Sequence, residues 1–143
     1  MLVVMKFGGS SVADAQRIKA VAAIIAHRFD QHDQIVVVLS AQGDTTDELI
    51  AKVREVSAHP GRRELDMLLA TGEQQSVALM ALQLQQQGYP AVSLNALQSG
   101  IETTAEYGRA RIRKISGSRI QAELDRRQIV LVTGFQGVSP FGD

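Results

Sequence analysis

Leu2-Val3-Val4-Met5-Lys6-Phe7, running into Gly8-Gly9, and Ile35-Val36-Val37-Val38-Leu39, running into Ser40, are the two stretches that decide the fold. Both are short, apolar and rich in β-branched residues, as strands covered on both faces are. Between them Ile18, Val21, Ala22 and Ile25 recur at i, i+3, i+4 and i+7, the spacing of one buried helix face, with Ser11 and Asp14 as the expected capping pair. The polar stretch Asp30 to Gln34 turns the chain back. Strand, helix and strand in this order form a crossover unit, so the two strands are expected to be parallel.

Outward from this unit the alternation continues. A loop from Ser40 to Asp44 leads to a helix with Thr45 and Glu48 as the expected cap, bearing Leu49, Ile50, Val53 and Val56 and ending at His59-Pro60-Gly61. Leu65, Leu68 and Leu69 mark a further helix that is expected to halt near Thr71-Gly72 and resume through Val77, Met80, Ala81 and Leu84. Ala91 to Leu94 reads as a third strand and Ile101 to Ile115 as an extended hairpin. Ser118 and Gln121 are expected to cap a short helix before the buried strand Ile129 to Val132, which ends at Gly134. The pattern predicts a three-layer α/β/α sandwich with a mainly parallel sheet, whose ligands lie beyond the carboxyl ends of the strands.

Composition narrows the function. The chain has 143 residues without a break in composition, the size of one domain or part of one. Its 15 basic residues balance 15 acidic ones, so no overall field draws in nucleic acid or an anionic membrane, and small ligands are the expected partners. Cysteine is absent, which excludes disulfides and thiolate metal sites. Without a signal-like start or a membrane-length apolar run, a soluble cytoplasmic protein is expected. His27, His32 and His59 lack ligand spacing, and Tyr89 and Tyr107 form no stacking platform among basic residues. Arg109, Arg111 and Arg113 alternate and are expected on one solvated strand face.

Three segments are placed to meet at one crevice. In Lys6-Phe7-Gly8-Gly9-Ser10-Ser11 the glycines let the backbone approach an anion, Lys6 adds a positive charge, and the next helix is expected to aim its amides at the same space. Phosphoryl transfer depends on such features, although a tight structural turn would use the same glycines. The lysine precedes the glycines, so this is not a Walker A loop. Ser40, Asp44, Thr45 and Thr46 offer hydrogen-bonding groups for a small polar substrate, while Thr45 and Asp44 also suit the helix start. Glu73 stands among apolar neighbours in Thr71-Gly72-Glu73, and a buried carboxylate requires a partner. A substrate ammonium group, an arginine or a run of backbone amides would each serve.

Taken together, Lys6 to Val12, Val36 to Ala41, Gly43 to Leu49, Leu68 to Glu73 and Gly134 to Gly137, with Ser99-Gly100-Ile101 and Ala110-Arg111-Ile112 between them, resemble the aspartate kinases of the amino acid kinase family, in the family's order and across nearly the whole chain. The resemblance implies transfer of the terminal phosphate of ATP, accompanied by Mg2+, to the side-chain carboxylate of L-aspartate at the start of lysine, threonine and methionine synthesis. It implies that Lys6 steadies the transferring phosphoryl group, that Gly8, Gly9 and Ser10 shape the phosphate loop, that Ser40 and Thr46 bind the carboxylates of aspartate, and that Glu73 receives its ammonium group. Threonine is common in the family where Ser10 stands, and either residue supplies a hydroxyl. The family continues beyond the equivalent of Asp143 into a Gly-Arg-Gly-Gly-Ser-Asp segment, an adenine pocket and regulatory ACT domains. Residues 1–143 are therefore expected to be the amino-terminal part of a catalytic domain, inactive alone and homo-oligomeric within the whole protein. A non-catalytic amino-acid-binding or subunit-interaction module is the alternative.

Overall fold

The computed structural model describes all residues from Met1 to Asp143. Strands β1 (Leu2–Phe7) and β2 (Gln34–Leu39) flank helix α1 (Ala15–Asp30), and helices α2 (Thr45–Val56) and α3 (Arg62–Gln86) follow. Strand β3 (Ala91–Leu94) precedes the short helix α4 (Ala96–Ser99), a hairpin of β4 (Ile101–Thr103) and β5 (Ile112–Ile115), helix α5 (Ser118–Asp125) and strand β6 (Ile129–Thr133). The main sheet has the order β1-β2-β6-β3 and is parallel throughout, and β4 and β5 pair antiparallel in a sheet of their own.

Side-chain alternation builds the three layers. Met5, Phe7, Ile35, Val37, Leu39, Ala91, Ile129 and Leu131 turn to one face of the sheet and join Ile18, Val21, Ala22 and Ile25 of α1 with Val77, Met80, Ala81 and Leu84 of α3. On the other face Val36, Val130, Val132 and Leu94 meet Leu124 and Ile120 of α5. Every residue of β6 is buried, as its central position requires. Each large aliphatic side chain taken wholly from water contributes about 1.5–3 kcal/mol, so this two-sided burial is the main stabilising force of the sheet. The buried strand expected at Leu2 to Phe7 is corrected: β1 is an edge strand covered on one face only, because the α5 layer stops short of it and leaves Leu2 and Val4 53% and 66% exposed. No helix is long and apolar enough to cross a membrane.

Several local expectations are corrected. Asp14 alone caps α1, its Oδ1 accepting from the Arg17 amide at 2.8 Å, while Ser11 lies in a 3-10 turn over Gly9–Val12. Asp44 stands at the N-cap of α2 without a side-chain cap bond, and Thr45 begins the helix proper. Gly117, with φ 63°, precedes α5 in place of a Ser118 cap. Arg109 and Arg111 lie before β5, so the three alternating arginines do not share one strand. Most consequentially, α3 runs unbroken through Thr71-Gly72. Glycine is there because the helix passes close to the loop after β2: a Cβ on Gly72 would stand 2.9 Å from Ala41 Cβ.

Candidate functional site

The carboxyl ends of β1, β2 and β6 converge, and hydrogen bonds weld the loops that leave them. The Ser40 amide donates to Phe7 O at 3.2 Å, the Gly43 amide to Gly9 O at 2.9 Å and the Gly134 amide to Leu39 O at 2.9 Å. Gln42 adds a side-chain bond from Nε2 to Val12 O at 2.8 Å. A Cβ on Gly9 would lie 2.6 Å from Ala41 O, which reserves that position for glycine through loop-to-loop contact, whereas the space beside Gly8 is open. The loops after β1 and β2 are thus one rigid ledge, and α3 rests on it through Gly72 against Ala41 and Thr45. Thr45 packs on α3 and does not cap α2.

The nominated residues divide by their position on this ledge. Gly8 and Ser10 are exposed on the first loop, and the Ser10 carbonyl is held by Arg17 Nη1 at 2.8 Å. The helix expected to aim its amides at the glycines begins only at Ala15 and is closed by its own Asp14 cap. Of the expected anion cradle, only the turn around Gly8-Gly9-Ser10 and the charge of Lys6 remain as candidates. Ser40 is half-buried at the end of β2, and Thr46 is exposed in the first turn of α2. Lys6 alternates with Met5 and Phe7, which pack under α1 and α3, so its exposed side chain leaves the opposite face of the sheet from that carrying Glu73. A substrate bridging Lys6 and Glu73 must lie across the strand ends.

Glu73 is the most constrained group of the site. It is only 9% exposed, and no arginine, lysine or histidine pairs with it. Burial pushes its carboxyl above the ordinary 4.5, opposed by the amides of Glu73 and Ala41 and by the Gln136 side chain. Of the three partners open to it, arginine is thereby removed, leaving backbone amides and a ligand cation. Gln136 Nε2 donates to Glu73 Oε2 at 3.3 Å and to Ala70 O at 3.1 Å. Sequence reading placed Gln136 in the Gly134 to Gly137 stretch that carries the family resemblance but gave its side chain no role, because its partners Ala70 and Glu73 lie far away in sequence. Thr133 adds a second unforeseen feature, a hydroxyl 1% exposed at the end of β6 with no hydrogen-bond partner.

No three His, Cys, Asp or Glu side chains gather into a metal-binding group, so these residues do not fit a protein-made cage for a divalent cation. A concavity lined by Arg62, Leu65, Asp66, Tyr107 and Gly108 lies where the hairpin turn rests on α3 and contains none of the nominated residues.

The description "Amino acid kinase family" belongs to the family model that matches residues 1–143. The aspartokinase of Geobacillus stearothermophilus is 48% identical over 142 residues, covering 99% of this chain and 35% of that protein. The aspartokinase of Mycolicibacterium smegmatis is 49% identical over 138 residues, covering 96% of this chain and 33% of that protein. The crystal structure of aspartate kinase from Synechocystis superposes with a TM-score of 0.82 at 43% identity, over 96% of this chain and 22% of that one. E. coli aspartokinase III in complex with aspartate and ADP superposes with a TM-score of 0.85 at 21% identity, over 99% of this chain and 42% of that one, a likeness of fold alone. The chain spans about a third of the length of these curated relatives.

Proposed function

The chain belongs to the amino acid kinase family, and from that premise we propose that the protein it forms part of phosphorylates the side-chain carboxylate of L-aspartate with ATP. The observation that carries this reading is Glu73, a buried carboxylate without a cationic partner, held against the ledge that joins the strand ends. An amino acid supplies the missing cation as its ammonium group, and burial strengthens the attraction once that group arrives. Relatives at 45–49% identity carry the name aspartokinase, which favours aspartate over other amino acids.

The chemistry asks little of the protein beyond placement and charge. A carboxylate oxygen of aspartate attacks the γ-phosphorus, the bond from that phosphorus to the β,γ-bridging oxygen breaks, and ADP leaves with the electron pair. Products are 4-phospho-L-aspartate and ADP. The nucleophile is ionised at neutral pH, so no general base is needed. Lys6 offsets negative charge on the moving phosphoryl group, and the open turn at Gly8, Gly9 and Ser10 admits it. Ser40 and Thr46 donate hydroxyl hydrogens to the substrate carboxylates, and Glu73 anchors its ammonium. Magnesium, if brought with the nucleotide, would offset phosphate charge during the transfer, and no carboxylate group of this chain would hold it. The same reading makes the whole protein a cytoplasmic homo-oligomer that opens lysine, threonine and methionine synthesis.

The test is a coupled assay for acyl phosphate formation by the full-length protein with ATP and magnesium, offering aspartate, glutamate and N-acetylglutamate in turn. Turnover of aspartate alone, lost in Lys6→Ala, is expected. Aspartate binding without turnover would instead favour the non-catalytic module, and turnover of glutamate would reassign the substrate.

A further inference from the structure

Gln136 is held in place from both sides of the chain. Before it, the Gly134 amide bonds to Leu39 O at 2.9 Å, and Phe135 takes a left-handed backbone turn with φ 62°, its own side chain fully in solvent. A non-glycine residue accepts that conformation at a cost, and here the turn redirects the chain from β6 toward α3. After it, the Val138 amide donates to Ile101 O and the Thr103 amide to Val138 O, both at 2.8 Å, while Gly137 has no room for a Cβ beside Thr103. Sheet and hairpin together fix the backbone that delivers this side chain.

The amide orientation is equally determined. Ala70 O and Glu73 Oε2 are both acceptors, at 3.1 and 3.3 Å from Nε2, so turning the amide over would set oxygen against oxygen twice. Both hydrogens of the nitrogen are thereby committed, one to the helix backbone and one to the carboxylate. The Ala70 bond alone would suffice to tie the loop to α3. The second bond does something the first does not, because it selects one oxygen of a buried carboxylate that has no cationic partner.

We propose that Gln136 is a positioning residue for the substrate's ammonium group: its amide holds Glu73 Oε2 and so presents Oε1 to the ligand. This role rests on the kinase reading above. Gln136 touches no reacting atom, so its loss is felt in aspartate binding and not in the transfer step.

The test uses the full-length protein with Gln136→Met, which keeps the length of the side chain and removes the donor, and Gln136→Glu, which replaces the donor with an acceptor. The Met variant is expected to raise KM for aspartate about tenfold, the scale of a lost hydrogen bond to a charged group, with kcat and KM for ATP unchanged. The Glu variant is expected to raise it further at neutral pH. The inhibition constant of succinate, which lacks the ammonium group, should not move in the Met variant. An unchanged KM for aspartate in both variants would overturn the proposal. So would a parallel loss of succinate binding, ATP binding and thermal stability, the mark of a merely structural tie. A wild-type protein inert toward aspartate would overturn the kinase reading itself, and this role with it.

Discussion

Gly72→Ala sets two known effects against each other, and the structure decides the sign. In an ordinary helix interior the change stabilises by about 1 kcal/mol, because alanine loses less backbone freedom than glycine. Here the new Cβ would meet Ala41 Cβ at 2.9 Å, with Thr45 Cγ2 at 3.6 Å and Leu49 Cδ1 at 3.9 Å. Carbon atoms prefer about 3.5–4.0 Å, so helix and loop must part by several tenths of an ångström or more. Ala41 is 5% exposed and its Cβ has no rotamer to escape into, so the backbone itself has to move. Overpacking of this kind costs about 1–3 kcal/mol, which outweighs the helix gain and leaves a net loss of about 1 kcal/mol. Urea denaturation at constant m-value measures it. Removing the obstacle should reverse the sign: in an Ala41→Gly background, Gly72→Ala should stabilise by about 1 kcal/mol, a coupling of about 2 kcal/mol between the sites. Stabilisation by Gly72→Ala alone, or strict additivity, would refute the argument that close approach explains this glycine.

Thr133→Val keeps the shape of a buried residue and deletes a hydroxyl without a partner, so it should be neutral or stabilising by about 1 kcal/mol in the same denaturation experiment. Because burial raises the Glu73 carboxyl, the folded state binds that proton more tightly than the unfolded chain does. The stability linked to it is complete below pH 4.5 and is lost as pH climbs through the raised value; Glu73→Gln should therefore gain stability relative to wild type as pH rises above 4.5, as paired melts would show. The bare face of β1 at Leu2 and Val4 should make the 143-residue chain self-associate, seen in sedimentation as a concentration-dependent species that Val4→Lys weakens.

The layers and the strand ends were legible because burial imposes periods that a sequence cannot hide. Ile35 to Leu39 and Ile129 to Val132 could only be interior strands, and the helices between them could only be crossovers. What misled was glycine and the small polar residues, whose meaning depends on neighbours distant in sequence. Gly72 reads as a helix stop, yet it marks the place where α3 meets Ala41. Thr45 and Ser118 read as caps because their local pattern fits, while Asp44 and Gly117 occupy those positions. Glu73 was legible as a problem, a carboxylate among apolar neighbours, but the absence of an arginine beside it required coordinates. The side-chain role of Gln136 was illegible for the same reason, since its two acceptors come from a helix 63 and 66 residues earlier.

The claim that Glu73 grips an amino-acid ammonium group is tested most directly by comparing L-aspartate with succinate in the full-length protein, in wild type and in Glu73→Gln. Wild type should prefer aspartate by a factor of about 10–150, the 1.5–3 kcal/mol of a hydrogen bond to a charged group, and Glu73→Gln should remove most of that preference by weakening aspartate alone. An aspartate preference that survives the substitution intact would place the ammonium group elsewhere and contradict the account.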